Sequence, residues 1–340
     1  MRMEKKKLGS TGLKISPLAF GCSSYGSAEW MPWALSEEDA QEHYRKAFEV
    51  GFSFFDTADS YSTGLSEEIL GRALKRFGPG RDSVVIGTKA FGAMGPDANQ
   101  RGLSRKHIRH AIDDSLRRLG TDYVDLYQIH HLDPDTPWEE LLLALDDVVR
   151  AGKALYLGAS SMHAWQFAKL QALAKENGLT PFVSMQNKYN LLYREEEREM
   201  LPLCVNDGIA VIPYSPLARG LLAGSRRSDT ARSRVVRDFT RPQDEQVIDR
   251  VISLAQQKDV KPAQIALAWL TSSPAVTAPI IGATKPHHID DAVDALEIRL
   301  SKEDRVYLEE PYTPQQAQLD RNEAIIAGQT ASSDVLSLIR

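Results

Sequence analysis

The feature that most constrains this chain is a repeated alternation of short apolar runs with amphipathic segments of helical period. Strands are predicted over residues 18–21, 53–56, 83–89, 123–130, 154–160, 182–186, 209–214 and 277–281. Helices are predicted over residues 36–50, 66–76, 104–119, 137–150, 164–177, 195–207, 244–258, 262–272 and 287–296. The segment 137–150 shows the period best, with Trp138, Leu141, Leu142, Leu145, Val148 and Val149 on one stripe. Ser36 and Asp39 are spaced as a capping box, and Gly51, Gly120 and Gly152 stand where helices end.

Repeated strand-then-helix units require a parallel sheet with helices outside it. About eight units favour closure into an α/β (β/α)8 TIM barrel over an open sheet. No GxGxxG follows the first strand, which counts against an open dinucleotide-binding sheet. The expectation is one barrel domain over 1–340, with an N-terminal hairpin cap in 1–17, a long loop over 220–243 and a tail over 311–340 that carries a short helix at 333–339. Whether loop and tail close over a site stays open.

The net charge of −5 speaks against nucleic acid as a partner. The nearest basic run, Arg226, Arg227, Arg232, Arg234 and Arg237, reads as a solvated loop, with an anionic ligand as the minor alternative. Cys22 and Cys204 lie in no metal-ligand spacing, so no metal is expected, and two free thiols suit a reducing cytoplasm. No apolar run reaches the ~20 residues of a membrane span, and residues 1–7 have no signal-peptide core.

In a barrel of this kind the active site lies at the C-terminal ends of the strands. The second predicted strand ends in Asp56, with Tyr61 shortly after; the third ends in Lys89 and the fourth in His130. Side chains alternate along a strand, so His130 shares a face with Gln128 and Leu126, while His131 points away. Each residue alone is weak evidence: an Asp after a strand is usually a turn residue, and a lone Lys is usually solvated. Together, a carboxylate, an ammonium, an imidazole and a phenol suit carbonyl reduction. A hydride added to a carbonyl carbon makes an alkoxide that needs a proton. Tyrosine can supply it if a neighbouring ammonium lowers its pKa from about 10. Lys89 would do this, Asp56 would hold Lys89, and a neutral His130 would polarise the carbonyl oxygen.

These residues in this order resemble the aldo-keto reductases. The likeness runs from the Leu8-Gly9 hairpin to Glu309-Glu310-Pro311-Tyr312, and its most telling strings are FFDTADSYSTGLSEEILGRAL, LRRLGTDYVDLYQIHHLD and VIPYSPLARGLL. Within the family the chain looks closest to the bacterial branch similar to potassium-channel β subunits. The resemblance implies a catalytic tetrad of Asp56, Tyr61, Lys89 and His130, with hydride passing directly from a nicotinamide. It implies that Ser160, Ser161 and Gln186 hold the carboxamide, that Tyr214 stacks on the ring, and that Ser215, Pro216, Leu217 and Gly220 begin the loop over the pyrophosphate. Asparagine is commoner in the family than serine at the position of Ser161.

The adenosine end matches Gly282, Thr284, Lys285, His288 and Asp291. An arginine that often grips the 2′-phosphate is replaced by His288, and an asparagine by Ala292; Lys285 can supply the charge instead. NADPH is the expected cofactor, with NADH left open. Tyr25, Trp30 and Trp33 follow the first strand, either lining a substrate pocket or packing against a helix. The expectation is a reductase of small aldehydes or ketones, with homo-oligomerisation open. Two alternatives remain: a cofactor-holding, channel-subunit-like regulator with weak turnover, and a lyase using Lys89 as a Schiff-base nucleophile.

Overall fold

The computed structural model describes residues 3–224 and 241–317. A small antiparallel hairpin, β1 (Lys6–Lys7) and β2 (Lys14–Ile15), precedes the main sheet. The sheet holds β3 (Ala19–Gly21), β4 (Phe54–Asp56), β5 (Val85–Ala90), β6 (Val124–Ile129), β7 (Ala154–Ser160), β8 (Phe182–Gln186), β9 (Ala210–Val211) and β10 (Ile280–Ile281). All neighbours are parallel and follow chain order from β3 to β9, with β10 beside β3. Backbone bonds from Thr277 N to Val211 O (2.8 Å) and from Ile280 N to Pro213 O (2.9 Å) join the last strand region to β9 and close the barrel. The α/β (β/α)8 fold is therefore as expected.

Helices α1 (Glu37–Glu49), α2 (Leu65–Phe77), α3 (Arg105–Leu119), α4 (Trp138–Arg150), α5 (Ala164–Glu176), α6 (Met200–Asp207), α7 (Asp244–Gln257), α8 (Pro262–Thr271), α9 (His287–Asp294) and α10 (Lys302–Glu309) lie outside the sheet. Ser36 caps α1 by accepting from Asp39 N, as its spacing predicts. The main apolar core fills the layer between strands and helices. A smaller cluster, including Phe54, Val85, Leu126, Ala210 and Ile280, fills the lower barrel interior, and Leu8 and Ile15 of the hairpin plug it from below.

Three expected elements differ. The strand expected over 209–214 is regular only at Ala210–Val211, and the one over 277–281 only at Ile280–Ile281, because Pro213 and Pro279 bring no N–H to the ladder. The helix expected over 195–207 splits into a turn, Glu195–Glu197, and α6, since Pro202 cannot donate to the carbonyl four residues back. Helix α10 was not anticipated, although Ser301 and Asp304 form the capping box that announces it. The helix expected at 333–339 and most of the 220–243 loop lie outside the described residues, as does the basic run from Arg226 to Arg237. Among the described residues no helix is long and apolar enough to cross a membrane.

Candidate active site

Pairing register sets the floor of the site. Lys89 on β5 lies opposite Gln128 on β6, Gln128 opposite Gly158 on β7, and Gly158 opposite Ser184 on β8. A Cβ on Gly158 would meet Ser184 Oγ at 2.6 Å and Gln128 Cγ at 2.8 Å, so the absent side chain makes room for Gln128.

Asp56, at the end of β4, is the hub. Its Oδ2 accepts from Lys89 Nζ at 2.7 Å, and its Oδ1 accepts from Gln128 Nε2 and Gln186 Nε2, both at 3.0 Å. Lys89 Nζ also donates to Thr57 O at 2.7 Å and reaches the Tyr61 hydroxyl at 3.3 Å. Burial pulls the Lys89 ammonium down, but Asp56 and Tyr61 outweigh it, and its pKa ends above the ordinary lysine value. The ammonium is thus fully charged and carries three defined partners.

Tyr61 reaches this position through a strained turn. Ser62 and Thr63 have φ of 49° and 51°, and Gly64 has φ of 93°. Two non-glycine residues in the left-handed region cost of order 1–2 kcal/mol each. The turn is pinned by Ser62 Oγ, which accepts from Ser27 N at 3.0 Å. Lys89 pulls the phenol's pKa down as expected, but it is not the larger influence. Burial raises it more than Lys89 lowers it, so the Tyr61 proton is held more tightly than in water.

His130 sits edge-on to Tyr61, with ring centroids 5.6 Å apart. Burial, then Lys89 and His131, push its pKa well below the usual histidine range, so the ring is neutral. Its Nδ1 is buried and has no hydrogen-bond partner among the described residues. His131 does not point away as strand alternation suggests. β6 ends at Ile129, and beyond it His131 stacks on His130 at 5.3 Å and packs on Phe91 at 5.4 Å. Trp30 lies 6.0 Å from the Tyr61 ring, so an aromatic row runs Trp30, Tyr61, His130, His131, Phe91. Tyr25 does not line this mouth. It is fully buried, stacks on Phe20 and donates to Ala283 O at 3.1 Å. Its ring is large and apolar, and α1 covers the position that spacing alone had left open. Trp33 is half-buried.

The residues expected at the nicotinamide gather at the ends of β7, β8 and β9. Ser160 pairs in register with Gln186, and its hydroxyl lies 3.1 Å from that of Ser161. Ser161 has φ of 53°; its N–H donates to Asn187 Oδ1 at 2.8 Å. Its hydroxyl is bonded to the Tyr214 phenol, whose pKa burial raises to about 12. Gln186 is held by Asp56 and by Gln128 Oε1 at 3.1 Å. Ser215 has φ of 55°, and Asn190 Nδ2 donates to its carbonyl at 2.8 Å. Three successive left-handed residues, Ala218, Arg219 and Gly220, then bend the chain beyond Pro216 and Leu217. These hydroxyls, the Tyr214 ring and the sharply turned backbone suit a ring with a carboxamide followed by a phosphate chain.

At the other end of the site Gly282 and Lys285 are exposed. Thr284 N donates to His288 Nδ1 at 3.4 Å, and burial and His287 lower the His288 pKa to about 4, so His288 is no cation at neutral pH. Asp291 pairs with Lys261 at 2.6 Å. Asn187, Asn190 and Glu196 escaped the sequence reading. The two asparagines follow a strand end, which is a usable signal; Glu196 sits inside a charge run that reads as a solvated face.

Residues 17–312 match the profile of the aldo/keto reductase family. The chain is 45% identical over 337 residues to the versiconal hemiacetal acetate reductase of Aspergillus parasiticus, covering 92% of this chain and 98% of that protein. It is 43% identical over 337 residues to a Schizosaccharomyces pombe protein provisionally named an aryl-alcohol dehydrogenase, covering 90% and 95%. It is 40% identical over 341 residues to an aldo-keto reductase of Alternaria alternata, covering 92% and 93%. These relatives are fungal, and they lend nothing to the narrower likeness to a bacterial branch near channel β subunits. With a matching profile over most of its length and relatives this similar from end to end, the chain belongs to the aldo/keto reductase family.

Proposed function

We propose that this oxidoreductase reduces aldehydes or ketones with NADPH, and that Tyr61 is the proton donor. The observation that carries the reading is the Lys89 ammonium, bonded at once to Asp56 (2.7 Å) and to the Tyr61 hydroxyl (3.3 Å) in a largely buried site. A bound nicotinamide supplies the hydride. Neutral His130 and the Tyr61 hydroxyl bind the carbonyl oxygen and orient it. As negative charge develops there, the Tyr61 O–H bond breaks and the proton moves to the substrate oxygen. The ammonium of Lys89 stabilises the phenolate left behind, and Asp56 keeps that ammonium in place. A phenol whose pKa is raised by burial holds its proton at neutral pH, which is what a donor needs.

Ser160, Ser161 and Gln186 are assigned to the carboxamide, Tyr214 to the ring, and the segment from Ser215 to Gly220 to the pyrophosphate. Lys285, the exposed cation beside a neutral His288, is assigned to the 2′-phosphate, which favours NADPH over NADH. The aromatic row from Trp30 to Phe91, and the name of the S. pombe relative, favour aryl carbonyl substrates. A cytoplasmic setting suits the two buried free thiols. A Schiff-base role for Lys89 is disfavoured because a nucleophilic amine must be unprotonated, whereas Asp56 and Tyr61 raise the pKa of this one. The test is a panel of aliphatic and aryl carbonyls followed by loss of NADPH absorbance, with NADH in parallel. Aryl aldehydes turned over with NADPH support the proposal; no turnover of any carbonyl with either nucleotide overturns it.

A further inference from the structure

The turn Glu195–Glu197 sends three successive carboxylates in three directions. Glu195 Oε1 faces the C-terminal segment, accepting from the Tyr312 hydroxyl at 2.6 Å and from Gln315 N at 2.8 Å. Glu197 binds Arg194 at 2.7 and 2.8 Å and accepts from the Tyr189 hydroxyl at 2.8 Å. Glu196 turns inward. It is buried, and its Oε2 accepts from Asn187 Nδ2 at 2.7 Å.

Asn187 passes this contact on. Its Nδ2 also donates to Met162 O at 3.2 Å, and its Oδ1 accepts the Ser161 N–H at 2.8 Å. The amide of Asn187 therefore clamps the backbone on both sides of Ser161, a non-glycine residue at φ 53°. A left-handed serine is held only where its surroundings over-determine it. Ser161 in turn bonds the Tyr214 phenol. Glu196 thus stands at the base of a chain of contacts that ends on two groups assigned above to the nicotinamide. A buried carboxyl in a run of charges is costly, and simple solvation does not account for its inward direction.

We infer that Glu196 is a positioning residue for the nicotinamide end of the cofactor, fixing Asn187 and through it the Ser161 turn and the Tyr214 ring. This rests on the cofactor reading above. With Glu196 replaced by an apolar side chain, the amide of Asn187 loses the shorter of its two acceptors and is held only by Met162 O and the Ser161 N–H. The carboxamide site loosens, while the adenosine end, built from the segment around Thr284 and Lys285, is untouched.

The experiment measures equilibrium binding of NADPH and of adenosine 2′,5′-bisphosphate, a probe of the far end only, by intrinsic-fluorescence quenching. The full-length protein is compared with Glu196→Leu and Glu196→Gln. Loss of one hydrogen bond to a charged group corresponds to about tenfold. We expect Glu196→Leu to weaken NADPH by about that factor and to leave the bisphosphate within about twofold. Glu196→Gln, whose amide oxygen can still accept from Asn187, restores NADPH binding. If Glu196→Leu does not fold, Glu196→Asp, which withdraws the carboxylate by one methylene, gives the same split. Equal weakening of both probes, or no weakening of NADPH, overturns the inference while leaving the cofactor reading intact. Failure of the unaltered protein to bind either probe overturns that reading and this inference with it.

Discussion

Lys89 Nζ and Asp56 Oδ2 lie 2.7 Å apart with both side chains shut off from solvent, and the same ammonium reaches the Tyr61 hydroxyl. Breaking a buried pair from one side leaves the other charge stranded, at a cost of about 3–5 kcal/mol. Lys89→Met therefore lowers stability by roughly that amount in urea unfolding. Adding Asp56→Asn to it recovers part of the loss, because no carboxylate then remains to be paired. A double variant less stable than Lys89→Met alone contradicts this account.

Tyr61→Phe removes the hydroxyl bonded to Lys89 while leaving the ring and its contacts with Trp30 and His130. Carbonyl reduction falls by about a hundredfold or more, the range for losing a positioned acid. NADPH affinity stays nearly unchanged in a fluorescence titration. Near-normal turnover in this variant would show that another group delivers the proton.

Glu196 links stability to pH. Burial raises its pKa from 4.5 to about 7, against the favourable bonds from Asn187 and Tyr193, with Glu195 pushing the same way as burial and Cys204 and Tyr214 as further titratable neighbours. A raised carboxyl binds its proton more tightly when folded, so its contribution is complete below pH 4.5 and is lost as pH rises through about 7. Glu196→Gln has no such loss. Its stability relative to the unaltered protein improves by roughly 3 kcal/mol across that window. Denaturant melts at several pH values measure this, and parallel curves for the two proteins count against it.

Lys285→Ala separates the two nicotinamide cofactors. His288 carries no charge at neutral pH and Asp291 is an anion paired with Lys261, so Lys285 is the cation proposed for a 2′-phosphate. Its loss weakens NADPH by about tenfold, the worth of one charge-assisted contact, and NADH by much less. Equal effects on the two dissociation constants would remove Lys285 from that role.

The linear pattern of residues was enough for the barrel, because strand and helix periods are local and eight parallel strands joined by helices have few ways to bury both faces. It also singled out Asp56, Tyr61, Lys89 and His130 as candidates, since a strand's end can be counted along the chain, and the fold brings the four side chains together. Tertiary structure decided what counting cannot reach. Tyr25 became core because α1 covers it, and His131 turned onto His130 because its strand had already ended. The phenol of Tyr61 moved up rather than down in pKa because desolvation depends on what surrounds a group in three dimensions. Glu196 left a charge run for the interior because the side-chain amide of Asn187, nine residues earlier, donates to it there. Burial and partnership between distant segments are properties of the packed fold, and no local spacing encodes them.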